Sequence, residues 1–160
     1  RGYFFESYNL KSFAEGGITT TFLQDNQAKS TYGVLRGMHY QLPPYAQAKL
    51  VRVLEGEVLD VVVDLRPHST TYGQHYAICL SEDNQKQLFV PRGFAHGYVV
   101  LSHKATFFYK VDNYYNKESE GGIIYNDLQL NINWQVDEKD IILSEKDQQL
   151  PKFGEHRKFN

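Results

Sequence analysis

The sequence predicts an all-β domain built as a barrel or sandwich of short strands. Short runs rich in Val, Leu, Phe and Tyr recur with period-two alternation. Gly, Pro, Asn and Asp punctuate those runs at short intervals. Aromatic residues reach 14% of the 160 residues, with 12 Tyr, 10 Phe and one Trp, and such side chains suit a pleated, half-buried surface.

Taken in order, a short helix is expected near Ser12 to Glu15, and a strand-like run spans Val34 to Gln41. Lys49 to Leu54 reads as the next strand, and Glu55-Gly56 as a tight hairpin turn. Val58 to Leu65 alternates, with Leu59, Val61, Val63 and Leu65 on a core face. Asp60 and Asp64 fall on its other face, which is exposed or lines a polar cavity, with a solvated sheet surface the favoured reading. His75 to Leu80 is followed by the turn-rich Ser81-Glu82-Asp83-Asn84, then by strands at Gln87 to Val90, Gly97 to Leu101 and Thr106 to Val111. After Trp134 the chain turns polar, and Glu138 to Phe153 is expected to wrap the outside with a turn or two of helix.

The length suits one domain, residues 1–160. Seventeen Lys and Arg against 19 Asp and Glu give a net charge of -2. With no basic block, nucleic acid is not an expected partner, although a small anion needs only a few local cations. The lone Cys79 excludes an internal disulfide and a multi-cysteine zinc site, and fits a reducing, cytoplasmic setting. No apolar run approaches the ~18 residues of a membrane span, so no membrane partner is expected.

Two segments carry chemistry. Val34-Leu35-Arg36-Gly37-Met38-His39-Tyr40-Gln41 sets Arg and His beside a Gly on a strand. Strict alternation would put Arg36 and His39 on opposite faces, so both point inward only if Gly37 marks a bulge or sharp bend. Pro91-Arg92-Gly93-Phe94-Ala95-His96-Gly97 has a P-x-G-x-x-H pattern similar to the second motif of the cupins, small β-barrels. In metal cupins the first motif has H-x-H and a later carboxylate. Here Gln41 and Lys49 stand in those places, and a cation at a ligand position argues against a divalent ion. No metal and no cofactor are expected.

Several motifs in order, covering nearly the whole chain, resemble the dTDP-4-dehydrorhamnose 3,5-epimerase family. They are Gly33 to Gln41, Ala48-Lys49-Leu50-Val51-Arg52-Val53, Gly93-Phe94-Ala95-His96-Gly97, Phe108-Tyr109-Lys110 with Asn113-Tyr114-Tyr115, and Leu143-Ser144-Glu145-Lys146-Asp147. The resemblance implies a cupin-like jelly-roll barrel with short peripheral helices. It also implies a further strand before Arg1-Gly2-Tyr3-Phe4-Phe5-Glu6, and a homodimer with an exchanged or extended edge.

The implied substrate is a nucleotide-linked 4-keto-6-deoxyhexose, whose ketone acidifies the hydrogens on carbons 3 and 5. His39 resembles the family's base, and Asp147 the carboxylate that orients it. Lys49 stands where it would stabilise the enolate oxygen, and Tyr109 resembles the acid. His96 and Arg36 would line the pocket. Arg1, Glu6, Gln24, Asn26, Tyr114 and Glu120 match positions that hold nucleotide and sugar.

Plainer readings stand beside these. His39 alone would be a structural histidine. Ser144-Glu145-Lys146-Asp147 reads as a capping box. Tyr109 is one tyrosine of 12. Gln24 and Asn26 would be turn residues, Cys79 a small buried residue, and His68, His75, His103 and His156 surface positions. Other activities compatible with the residues are a mono-epimerase or an epimerase of another nucleotide-linked 4-keto sugar. A metal-dependent cupin enzyme and a non-catalytic carbohydrate-binding barrel are alternatives of other classes.

Overall fold

A computed structural model describes all 160 residues. Nine strands form two antiparallel sheets. The strands are β1 (Gln24–Thr31), β2 (Leu35–Gln41), β3 (Lys49–Glu55), β4 (Glu57–Asp64), β5 (His75–Ser81), β6 (Gln87–Val90), β7 (Phe94–Val100), β8 (Lys104–Val111) and β9 (Glu120–Gly122). One sheet runs β1-β8-β3-β6 and the other β5-β4-β7-β2-β9. Two short helices, α1 (Leu10–Glu15) and α2 (Glu145–Gln148), lie outside them. This is the expected jelly-roll arrangement.

Each expected strand is present, with ends shifted by up to three residues. Glu55-Gly56 does not close a hairpin. β3 pairs with β6 and β8, while β4 pairs with β5 and β7, so the chain crosses between sheets there. Gly56 has φ +79°, and a Cβ on it would lie 2.1 Å from the Lys104 carbonyl oxygen. Only glycine fits that crossing.

The five-stranded sheet is buried on both faces. Between the sheets lie Val51, Val53, Val58, Leu80, Tyr98, Val100, Ala105 and Phe107. On the other face, Leu59, Val61, Val63 and Leu65 pack with Leu35, Met38, Tyr40, Ile123, Leu130 and Trp134. That cluster holds no residue of the four-stranded sheet, so its cover is the C-terminal third of the chain. The expected core face of β4 is therefore right, but its opposite face is not solvated. Asp60 is fully buried and Asp64 is 2% exposed. Asp64 accepts hydrogen bonds from Arg66, Ser69 and Thr71 and organises the turn after β4.

The wrapping segment has its two turns of helix, a 3-10 turn at Glu138–Asp140 and α2. It is zippered to the start of β2, because Ile142 N–H donates to the Gly33 carbonyl and Leu35 N–H donates to the Ile142 carbonyl. His156 is buried within this wrap, stacked on Phe153, rather than at the surface. Cys79 is half-buried and free. At the other end, Asn9 caps α1 by accepting from Ser12 N–H. Tyr8, Phe13 and Phe22 pack edge-on and reach Phe89 of β6. Beyond them Tyr3 and Phe4 are exposed.

Candidate active site

A cavity of about 510 Å³ opens between the two sheets. The five-stranded sheet supplies Arg36 and His39 from β2, and His96 and Tyr98 from β7. The four-stranded sheet supplies Ala28, Lys49, Phe107 and Tyr109 from β1, β3 and β8. The wrap closes one side with residues from Ile142 to Asp147. His39 and Tyr109 therefore stand on opposite walls.

β2 delivers both Arg36 and His39 inward through a bulge at Gly37. Its register against β7 shifts between Arg36 and His39. Gly37 has φ +125°, and a Cβ there would come within 2.7 Å of the Gly97 Cα and the His96 carbonyl oxygen. Leu35, Met38 and Tyr40 meanwhile face the outer core. The extra residue lets the two polar side chains share a wall.

His39 Nε2 lies 2.6 Å from Asp147 Oδ1, and Gly37 N–H donates to Asp147 Oδ2 at 3.0 Å. Burial works against the Asp147 carboxylate, yet the bonds from His39 and Gly37 hold its pKa below the usual carboxylate range. An ionised carboxylate only accepts, so His39 donates from Nε2, and the neutral form of the ring then carries its lone pair on Nδ1. Ser144 Oγ accepts from Asp147 N–H at 3.1 Å, so Ser144 also caps α2. The helix cap uses the Asp147 backbone N–H and the bond to His39 uses its carboxylate, so the two contacts coexist.

His96 is buried, with Nε2 2.8 Å from Asp60 Oδ2. Burial pushes its pKa down despite Asp60, which favours the neutral ring. Asp60 Oδ1 is buried without a hydrogen-bond partner. Burial also pushes the Lys49 ammonium down to about 8, against the opposing pull of Asp60 and Glu120. Its Nζ lies 5.7 Å from the Tyr109 ring centroid. Tyr98 and Phe107 stack at 3.9 Å between centroids and wall the interior. No three His, Cys, Asp or Glu are grouped to hold a metal ion. The Gln41 amide is spent on the Tyr45 and Tyr114 carbonyls and on Asn116 N–H.

His39, Lys49, His96, Arg36, Tyr109 and Asp147 are thus brought together. Gln24 and Asn26 are strand residues of β1 rather than turn residues. They share its less exposed side with Ala28 and are bonded to each other at 2.8 Å. Glu120 sits beside the cavity, bonded to Lys146 at 2.5 Å and to the Tyr115 hydroxyl at 3.1 Å. Tyr114 lies outside the cavity, its carbonyl taken by Gln41. Arg1 and Glu6 lie on the exposed N-terminal segment, where Glu6 accepts from Asn9. Sequence reasoning did not single out Lys146, which lines the cavity, and it favoured a solvated place for Asp60. Only the period-two position of Asp60 opposite the core face pointed inward.

Comparison with known proteins settles the family. Residues 1–155 match the family model described as dTDP-4-dehydrorhamnose 3,5-epimerase. The chain belongs to that family. A relative of that name from Shigella flexneri is 52% identical over 154 residues, covering 96% of this chain and 84% of its own. The crystal structure of the Elizabethkingia anophelis enzyme of the same name superimposes with a TM-score of 0.92 at 58% identity, covering 96% of this chain and 85% of that one. A Legionella pneumophila dTDP-6-deoxy-D-glucose-3,5-epimerase, solved in complex with dTDP-4-keto-L-rhamnose, gives 0.92 at 48% identity, covering 96% and 81%. The cupin-like jelly roll and the isomerase class expected from the motifs are therefore borne out.

Proposed function

We propose that residues 1–160 form one epimerase unit that inverts carbons 3 and 5 of dTDP-4-keto-6-deoxyglucose, supplying dTDP-rhamnose-type deoxysugar synthesis. The observation that carries this reading is His39 of the five-stranded sheet, bonded to Asp147 of the wrap and facing Tyr109 and Lys49 on the four-stranded sheet. His39 Nδ1 removes the proton beside the ketone, and Asp147 stabilises the resulting imidazolium. Negative charge develops on the ketone oxygen, and the Lys49 ammonium neutralises it in a water-poor cavity. Tyr109 returns a proton from the opposite face, so the centre inverts. The ketone already present makes the hydrogens acidic, so no redox cofactor enters the scheme.

Arg36 suits the diphosphate through its planar fork of donors. His96, Gln24, Asn26 and Glu120 would hold sugar and nucleotide, with Tyr115 rather than Tyr114 as the aromatic face beside Glu120. Arg1 and Glu6 lie outside this chain's cavity, which supports a homodimer in which each N-terminal segment serves the partner's site. Tyr3 and Phe4, 78% and 94% exposed, would then be covered by the second copy. No helix is long and apolar enough to cross a membrane. The free Cys79 and a nucleotide-sugar substrate support the cytoplasm as its compartment.

The test is proton NMR of dTDP-4-keto-6-deoxyglucose in heavy water. The native protein should incorporate deuterium at carbons 3 and 5 with inversion at both. Tyr109→Phe should exchange deuterium into unepimerised substrate faster than it makes epimer, because abstraction survives and delivery from the far wall does not. Incorporation at one carbon only would make it a mono-epimerase. Inversion at the native rate in Tyr109→Phe would remove Tyr109 as the acid.

A further inference from the structure

Arg36 differs from Arg66 and Arg92 in what holds it. Arg66 and Arg92 each bond a carboxylate, Asp64 and Asp112, at 2.9 Å. Arg36 has no carboxylate within ion-pair distance. Its Nε and Nη2 both donate to the Ser30 hydroxyl, at 3.2 and 3.1 Å. Ser30 is 8% exposed, on the same side of β1 as Ala28 of the cavity wall. Ser30 and Arg36 belong to different sheets, so this pair of bonds ties the walls together at the mouth of the cavity.

We propose that Ser30 is a positioning residue: a neutral anchor that fixes the Arg36 guanidinium while leaving its charge uncompensated for the substrate's diphosphate. The inference rests on the epimerase reading above. A guanidinium has five N–H donors in a rigid plane. Ser30 takes the Nε edge, which leaves the Nη1 and remaining Nη2 donors for a second, two-pronged partner. An aspartate at position 30 would match the same edge and neutralise the charge. A serine sets the orientation without that loss, and pre-orientation lowers the ordering cost that a long side chain otherwise pays on binding.

The experiment compares Ser30→Ala, Ser30→Asp and Ser30→Thr by steady-state kinetics and by calorimetric binding of dTDP and of thymidine. Ser30→Ala should raise KM about 10-fold with kcat within about two-fold, the size expected for losing hydrogen bonds to a charged group. Ser30→Asp should weaken dTDP about 10²-fold and thymidine little, since thymidine has no phosphate. Ser30→Thr keeps the hydroxyl and should restore KM. Native protein that binds dTDP while Ser30→Ala and Ser30→Asp bind it equally well would overturn the proposal. So would equal weakening of dTDP and thymidine, or a loss confined to kcat. Native protein that binds dTDP but turns over no 4-keto sugar would instead overturn the epimerase reading.

Discussion

Replacing Asp147 with asparagine isolates the chemistry of the dyad from its structural role. The helix cap uses the backbone N–H of residue 147 on Ser144 Oγ, which the substitution leaves alone. The side chain, by contrast, accepts from His39 Nε2 at 2.6 Å and from Gly37 N–H at 3.0 Å. An asparagine has one acceptor oxygen for these two donors. If the oxygen stays with Gly37, the amide NH2 faces His39 and forces the ring into the other tautomer, protonating Nδ1. The imidazolium formed in the transition state loses a charge-assisted hydrogen bond worth about 1.5–3 kcal/mol, and holding the reactive tautomer against a misplaced donor costs about 1–3 kcal/mol more. Together these correspond to roughly a 10²–10⁴-fold loss of kcat. The assay is turnover of dTDP-4-keto-6-deoxyglucose, with urea unfolding as the control. Asp147→Asn should lose turnover while its midpoint moves little. Near-native turnover in Asp147→Asn, with damage only in Asp147→Ala through stability, would refute the dyad.

Lys49 should impose an alkaline limb on kcat. Its ammonium, lowered from 10.5 to about 8 by burial, loses its proton as pH rises through that value, and turnover should fall roughly tenfold per pH unit above it. Stability moves the other way. Between about 8 and 10.5 the unfolded chain holds a proton the folded one has lost, so stability rises with pH there. Lys49→Met should abolish both trends, and an unchanged alkaline limb in this variant would assign it to another group. Gly37→Ala should cost about 2–5 kcal/mol, from a side chain at positive φ and from overpacking against Gly97 and His96. Turnover should fall with it as His39 is displaced. A urea midpoint within error of the native protein would show that β2 accommodates the methyl group.

The strands readable from the sequence are those whose side chains meet apolar partners. β3, β4 and β8 carry alternating Val, Leu and Phe, because they bury them in the core between the sheets or in the one beneath the wrap. β1, Gln24–Thr31, has a single apolar residue, Ala28, and reads as a loop. Its less exposed side, Gln24, Asn26, Ala28 and Ser30, is polar but for Ala28, which lines the cavity, so the strand shows no hydrophobic alternation. β9 is hidden differently. Gly121 and Gly122 lie against Tyr40 and Leu150 with no room for a Cβ, so the strand has no pattern to show.

Asp60 exposes the limit of two-faced reasoning. Period two put it opposite the core face correctly, but where a second sheet packs against the first the opposite face is also an interior. Asp147 exposes the other limit. Ser144 and residue 147 announce a helix start because capping is a contact across three residues. The bond to His39 spans 108 residues, and no local rule contains it. It exists because the wrap is zippered along Val34 and Leu35, which brings α2 to the one place where β2 bulges at Gly37. The same glycine donates its N–H to the Asp147 carboxylate. The bulge that turns His39 inward therefore also binds the group that orients it. His39, Asp147 and the bulge form one unit, so under the proposed mechanism Gly37→Ala and Asp147→Asn should both lower turnover, while the overpacking at Gly37 makes the first the more destabilising.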